Sequence, residues 1–136
     1  MERAGSDAIS ADQCWELLRG QSLGRVALSL EALPAILPVQ YYVDGDVLRI
    51  CLGFYDVAPV SVTNTIVAFA VDSLDARSGV GWSVQLQGVV RPPGRVGVDT
   101  SCGQPTAGQI LDLKPASITG HQVQICPFAA AHASGR

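Results

Sequence analysis

The chain has 136 residues, of which 48% are hydrophobic and 15% charged, so it has the length of one domain and enough apolar material for a core. This composition excludes a disordered chain, which needs low hydrophobicity and high net charge. The net charge of −3, with nine basic residues scattered along the chain, argues against a surface for nucleic acid.

Location and cysteine chemistry are predicted from what the chain lacks. The first eleven residues show no basic patch followed by an apolar stretch, as a secretory signal would. The longest apolar runs, Leu33 to Val39 and Ile66 to Val71, are too short to span a bilayer. The four cysteines, which lack the paired spacing of a zinc site or a redox dithiol, are Cys14, Cys51, Cys102 and Cys126. We predict a cytoplasmic protein with four reduced, non-catalytic thiols.

A short helix is predicted near the N-terminus, after a flexible tail of residues 1–9. Ser10 and Gln13 have the spacing of a capping box. The helix then runs from Ala11 to Arg19, and Gly20 ends it.

The next segments are typical of strands. Arg25 to Leu30 alternates apolar with polar or small residues, which is the period of a half-buried strand. After a short turn, Leu33 to Val43 is apolar at nearly every position, which predicts a strand covered on both faces. Pro34 and Pro38 cannot donate to a β-ladder, so we expect them at an edge or a bulge.

A hairpin and a break follow. Asp44 and Gly45 form a strong hairpin signal that leads into a strand from Val47 to Leu52. The stretch from Gly53 to Asn64 departs from the strand pattern and predicts a short helix, although its β-branched valines have low helix propensity. Thr65 to Val71 is again apolar on both faces.

The last third contains the clearest strand, Trp82 to Val90, after a polar connection from Asp72 to Gly81. Arg91 to Gly108 is rich in Gly, Pro, Ser and Thr, which predicts a loop. A strand pair, Ile110 to Leu113 and Gly120 to Ile125, closes the single domain before a flexible tail of residues 127–136.

About six short strands with few helices and no βαβ rhythm predict a mainly β fold, either an antiparallel barrel or a sandwich. Two strands that are apolar on both faces present more apolar surface than one thin sheet can bury. Either the barrel closes around them or a second copy of the chain covers one side, and a homodimer does both.

Groups for catalysis are scarce. His132 lies in the tail, and His121 lies on a late strand, where it is either a ligand or base or simply a surface histidine. No nucleophile motif, acid–base pair or metal-ligand set is visible. Gln85 and Gln87 share one face of their strand, where their amides would bond a heteroaromatic ring edge or simply face solvent. Such a protein either borrows its chemistry from a cofactor or only binds.

An ordered set of segments covers nearly the whole chain, from Asp12 to Ile125: GRVALS, LPAILPVQYYVDGDVLRI, NTIVAFAVDSLD, GWSVQLQGVVRP and LKPASITGHQV. This set resembles the flavin-binding split-barrel family related to pyridoxamine 5′-phosphate oxidase, and most of all its small actinobacterial-type members. The resemblance implies a six-stranded antiparallel split β-barrel and a homodimer. It also implies a flavin, either FMN or a deazaflavin, in the cleft between the subunits.

Carried over by position, the resemblance implies flavin contacts from four parts of the chain. They are Pro38, Val39, Gln40 and Tyr41 beside the isoalloxazine ring, Cys51 and Leu52 near the ribityl and phosphate groups, Ser61, Thr63 and Asn64 in the following helix, and Trp82 and Gln85 from the partner subunit. None of them is a catalytic acid or base, because in this family the flavin itself accepts and donates hydride.

The chain departs from the family at the phosphate. Family members usually carry a lysine that grips the flavin phosphate, and alignment places that position at Val57. No basic residue lies between Leu52 and Asn64. Losing a charge-assisted bond predicts roughly ten- to hundredfold weaker FMN binding. Arg25 or Arg49 would compensate if their strands present them to the site.

Three interpretations follow. The first is a flavin-binding oxidoreductase that acts on an unknown small substrate. The second is a split barrel that has lost its flavin, binds none, and serves as a non-catalytic interaction module. The third is a carrier or sensor of another flat ligand, such as a tetrapyrrole. The missing cation favours the second interpretation, and the segments LPVQYYVDG and GWSVQLQG favour the first.

Overall fold

The computed structural model of the chain describes residues 6–52, 62–94 and 110–126. Seven strands and one helix lie in this part of the chain. Their bounds are Ser6–Ile9 (β1), Ala11–Arg19 (α1), Leu23–Leu30 (β2), Leu33–Asp44 (β3), Val47–Cys51 (β4), Ile66–Leu74 (β5), Val80–Arg91 (β6) and Ile110–Gln124 (β7). The helix that these ranges contain is too short to cross a membrane.

The strands form one antiparallel sheet that closes on itself. Their order is β1-β7-β4-β3-β2-β5-β6, and β6 also pairs with β7. Strands β2 to β7 therefore make a ring of six, and β1 extends the sheet from β7. The mainly β fold, a six-stranded antiparallel split β-barrel with a short N-terminal helix, is confirmed.

Helix α1 closes one end of the barrel, with the bounds that the sequence predicted. The side chain of Ser10 accepts from the backbone N–H of Gln13 at 3.2 Å, and the reciprocal half of the capping box is also present. Cys14 and Leu18 are fully buried against the barrel. The Tyr41 hydroxyl of β3 donates to the Leu18 carbonyl at 2.6 Å, which ties the end of the helix to the sheet.

The core fills the barrel with one face of each strand. Its largest fully buried side chains are Tyr41, Phe69, Leu18, Leu48, Ile50, Leu52, Leu86, Leu113, Val26, Val62 and Val84. The rings of Tyr41 and Phe69 meet edge to face, with centroids 5.1 Å apart. Gly24 allows the Phe69 ring to approach its backbone, since a Cβ there would lie 2.4 Å from the ring. The core thus specifies which face of each strand remains outside.

Both prolines of β3 lie where the sequence predicted. Strand β4 pairs with β3 only from Gln40 onward, so Pro34 and Pro38 lie where β3 pairs with β2 alone. The preceding turn is also confirmed, and Glu31 and Ala32 both have positive φ, of 52° and 67°. Positive φ at both turn residues suits the twist of a two-residue hairpin.

One face of β3 and one face of β5 are exposed in the single chain, so their coverage on both faces, which needs a second copy, stays a prediction. In β3, Val39 and Tyr41 are buried, whereas Ile36 is 68% exposed. In β5, Phe69 is buried, whereas Ile66 is 74% exposed. A closed barrel covers only the inward side of each strand, so the outward side is available to another partner.

The two strands expected at the C-terminus are one continuous strand, β7. Its residues between Leu113 and Gly120 stay in register with β6, with one shift at Gln87/Gly88 opposite Pro115. Partner strands thus override a locally polar sequence. Residues Ser6–Ile9, expected in a flexible tail, pair with β7 as β1. The tail predicted at residues 127–136 lies outside the described residues.

We expect the stability of the protein to fall between about pH 10 and pH 12 because of Tyr41. Burial raises the pKa of Tyr41 to about 12, whereas in the unfolded chain tyrosine ionises near pH 10. The contribution of this residue is complete below pH 10 and is lost as the pH rises through the folded-state pKa, because only the unfolded chain releases the proton in that range. Urea unfolding at several pH values measures this loss in the free energy of unfolding, with Tyr41→Phe as the control. A variant with the same pH dependence as the wild type would contradict the assignment.

Candidate functional site

Four neighbouring strands present two rows of side chains on the outside of the barrel. Directly opposite residues in an antiparallel pair share a face. The first row is Pro38, Arg25, Ala70 and Gln85, and the second is Ile36, Ala27, Ala68 and Gln87. We call these eight residues, on β3, β2, β5 and β6, the outer face. Small side chains at its centre leave a depression of about 320 Å³ beside Arg25, Pro38 and Ala70.

The surroundings of the outer face are unusually apolar for a surface. Large side chains on it or beside it are strongly exposed, with Leu23 64%, Ile36 68% and Ile66 74% accessible. Contiguous exposed apolar patches typically mark a binding or association site. The depression thus combines exposed apolar side chains with the Arg25–Asp72 ion pair, which also lines it.

The residues predicted on β3 divide between two faces. Pro38 and Gln40 point outward, where Gln40 is directly opposite Leu23 and Cys51. Val39 and Tyr41 are 3% and 1% exposed and belong to the core. Their side chains therefore support the sheet beneath the outer face, and only Pro38 and Gln40 offer side chains to a ligand there.

The flavin contacts predicted on β6 also lie on two different faces of the strand. Gln85 is exposed on the outer face, in the same row as Pro38. Trp82 has the opposite orientation and packs against the barrel core beside helix α1. There it lines a groove of about 900 Å³ with Leu17 and Val80. The prediction that Trp82 and Gln85 reach a cofactor in the partner subunit stays a prediction.

Cys51 and Leu52 are buried at the end of β4. Cys51 is disulfide-bonded, whereas Cys14 and Cys126 are free thiols. The prediction of four reduced thiols is therefore wrong. Spacing along the sequence did not reveal the bond because Cys51 lies directly opposite Ile110, so its neighbours in space come from a distant part of the chain. Stable disulfides are rare in a reducing cytosol, and the cytoplasmic location stays a prediction.

We expect thiol counting in denaturant without reductant to find two thiols per chain, from Cys14 and Cys126. The same count after reduction should find four, since the chain has four cysteines. The fourth, Cys102, lies outside the described residues. Four thiols in freshly purified, unreduced protein would contradict the disulfide at Cys51.

Thr63 and Asn64 precede β5 at the same end of the barrel as Cys51. Asn64 has a positive φ of 68°, and its N–H donates to the Val90 carbonyl at 2.7 Å. Its side-chain oxygen accepts from the Arg91 guanidinium at 3.0 Å. Ser61, the short helix predicted before it, and Val57, the expected lysine position, lie outside the described residues.

The two arginines that the sequence offered as substitutes for the missing lysine are both paired. Arg25 lies in the first row of the outer face and forms an ion pair with Asp72, both side chains being about half exposed. Arg49 is buried, 3.1 Å from Asp112 and 3.3 Å from Asp44. Burial alone would lower the pKa of Arg49, but the Tyr42 hydroxyl and the two carboxylates raise it, so the guanidinium stays charged. Arg49 thus holds the barrel wall together, and Arg25 faces the depression.

A family model described as pyridoxamine 5′-phosphate oxidase matches residues 10–96, more than half of the chain. The Mycobacterium tuberculosis protein Rv0080 is 29% identical over 130 residues, which cover 85% of this chain and 84% of that protein.

Solved structures of similar fold include two FAD-binding proteins. The one from Mycobacterium smegmatis has a TM-score of 0.66 at 24% identity and covers 87% of this chain and 98% of its own. The one from Mesorhizobium loti has a TM-score of 0.68 at 17% identity and covers 89% and 98%. An FAD and haem binding protein from M. smegmatis has a TM-score of 0.60 at 18% identity and covers 99% and 81%. At these identities the similarity shows the fold. With the match of the family model, the chain belongs to the pyridoxamine 5′-phosphate oxidase family.

Proposed function

We propose that this chain binds a flavin nucleotide on the outer face, in a cleft completed by a second copy of the chain, and serves as an oxidoreductase for a small substrate. The observation that carries the proposal is the register of four strands. It places Pro38, Arg25, Ala70 and Gln85 in one row over a depression of about 320 Å³.

The residues of this face fit a flavin ring. Pro38, Ala27, Ala68 and Ala70 are small enough to let a flat aromatic ring lie close to the sheet. The amide of Gln85, with that of Gln40 near the rim, offers both donors and acceptors to the heteroatoms of the ring edge. A mostly apolar pocket with a few polar groups is the usual composition of a cofactor site.

The homodimer is part of the proposal because the site is incomplete without it. A ring on the outer face of one barrel would have one side in water. A second copy would cover it and would also bury the exposed Ile36 and Ile66. Closed twofold dimers are the commonest homo-oligomers.

Bound flavin would supply the redox chemistry by exchanging hydride with a substrate. The chain's own residues would bind and orient the cofactor: the glutamine amides would fix the ring edge, and the apolar surface would exclude water. Descriptions of the M. smegmatis and M. loti relatives as FAD-binding proteins support a flavin. FMN, FAD and a deazaflavin remain the ligands to compare.

The visible absorption spectrum of the purified protein tests the proposal first. A flavin spectrum supports it, a tetrapyrrole spectrum would identify another flat ligand, and a colourless protein should acquire a flavin spectrum when riboflavin or a flavin nucleotide is added. A colourless protein that quenches no flavin fluorescence would support the non-catalytic interaction module instead.

We expect Gln85→Leu to weaken binding of both riboflavin and FMN by up to about tenfold, because it removes one neutral hydrogen bond to the ring. Gln124→Leu is the matched control, since Gln124 is also exposed but lies at the end of β7, opposite Val80. Fluorescence-quenching titrations give both affinities. Equal effects of the two variants would argue against a ring at Gln85.

A further inference from the structure

Arg91 is the last residue of β6 and is held in a defined orientation. Its guanidinium donates to the Asn64 side-chain oxygen at 3.0 Å. Asn64 is itself fixed, because it has a φ of 68° and bonds the Val90 carbonyl through its N–H at 2.7 Å. Asparagine adopts this left-handed conformation more readily than most residues. The pair therefore positions one planar cation at the end of the barrel wall.

The charge of Arg91 is not neutralised by any carboxylate within the described ranges. The other cations of the barrel wall are paired: Arg25 with Asp72, Arg49 with Asp44 and Asp112, and Lys114 with Asp46. Asp112 lies directly opposite Arg91, but one of its oxygens bonds Arg49 at 3.1 Å and the other accepts from the Gly94 N–H at 3.0 Å. Asn64, the partner that Arg91 does have, is neutral. An anion would therefore gain more from Arg91 than from the paired cations.

Arg91 borders a cavity of about 540 Å³ that is large enough for a phosphate or pyrophosphate group. Lys114 lines the same cavity, together with Val89, Pro92, Gly94 and the Asp112 carboxylate that Arg49 and the Gly94 N–H already engage. The pairing of Lys114 with Asp46, at 3.6 Å and with both side chains more than 70% exposed, is the kind that contributes little to stability. The ammonium group is thus free to turn toward an anion, which gives the cavity a second cation.

This cavity lies farther along β6 than the outer face, toward the end of the barrel where Cys51 lies. Gln87 of the outer face and Arg91 lie four residues apart on the same side of β6, about 14 Å along the strand. An extended arginine side chain spans part of that distance. Cys51 lies opposite Ile110 of β7, and Arg91 lies opposite Asp112, two residues further along the same strand. Cys51 and Arg91 therefore lie at the same end of the barrel.

We propose that Arg91, oriented by Asn64 and assisted by Lys114, binds the phosphate or pyrophosphate of the flavin nucleotide. It supplies the cation that the sequence between Leu52 and Asn64 lacks. The assignment rests on the proposed function, and it makes the nucleotide, as opposed to riboflavin, the ligand of this chain.

Titrations of riboflavin, FMN and FAD against the wild type and Arg91→Gln test the assignment. The wild type should bind FMN roughly ten- to hundredfold more tightly than riboflavin, and Arg91→Gln should remove that preference while riboflavin binds as before. Arg91→Lys should restore part of it. Added salt should weaken FMN binding more than riboflavin binding. Arg77→Gln is the matched control, because Arg77 is an exposed arginine in the connection between β5 and β6.

The outcomes separate this assignment from the proposed function. If the wild type binds riboflavin and FMN equally, the outer face holds the ring but Arg91 does not hold the phosphate, and the assignment is overturned. If Arg91→Gln weakens the binding of riboflavin and FMN alike, Arg91 has only a structural role, and the assignment is likewise overturned. If the wild type binds no flavin, the proposed function fails and the assignment fails with it.

Discussion

Replacing Ile36 with aspartate is expected to convert the proposed homodimer into a monomer and to weaken flavin binding at least about tenfold. Ile36 is 68% exposed in the single chain and lies in the same row as Ala27 and Ala68 on the outer face. In the proposed dimer this position is covered by the second copy. A carboxylate buried there without a partner costs several kcal/mol, which is enough to dissociate an interface of moderate affinity.

Light scattering coupled to gel filtration at micromolar concentration measures the mass of both proteins. Ile125→Asp is the matched control, because Ile125 is also exposed but lies past the end of β7, away from the outer face. The control should keep the mass and the flavin affinity of the wild type. A wild-type protein that remains a monomer on concentration would rule out the dimer and the cleft that depends on it.

Phe69→Ala is expected to destabilise the barrel by about 3–5 kcal/mol, the usual cost of deleting a fully buried phenyl ring. Phe69 is 1% exposed and packs against the Tyr41 ring with centroids 5.1 Å apart. The substitution would also remove the edge-to-face contact between the Phe69 and Tyr41 rings. Natural domains are stable by only about 5–15 kcal/mol, so the loss is a large fraction of the total.

Urea unfolding followed by circular dichroism gives the free energy of unfolding of each variant. Phe69→Leu should cost clearly less than Phe69→Ala, since most of the apolar volume remains. Val80→Ala should change the free energy by no more than about 0.5 kcal/mol, because Val80 is 53% exposed. A Phe69→Ala variant as stable as Val80→Ala would mean that the ring is not a core residue.

Local sequence signals determined helix α1 and the face of most strands. The capping box at Ser10 and Gln13 fixed the start of the helix, because its hydrogen bonds join residues only three apart. Alternation in Arg25 to Leu30 and Trp82 to Val90 assigned inward and outward side chains correctly, since the period of two is a property of the strand itself. The resemblance of the ordered segments supplied the closed barrel.

Contacts between distant segments were decided only by the tertiary structure. The sequence predicted two strands where the structure has the single strand β7. The polar middle of β7 joins the sheet because every residue of β6 pairs with it. Arg49 meets Asp112 across 63 residues, and Arg91 meets Asn64 across 27. Spacing along the chain carries no signal for such pairs, because strand register in the closed barrel brings them together. For the same reason the sequence offered Arg25 and Arg49 as the cations of the site but not Arg91. Among the described residues Arg91 has no carboxylate partner, and this depends on which neighbours Asp112 has in space.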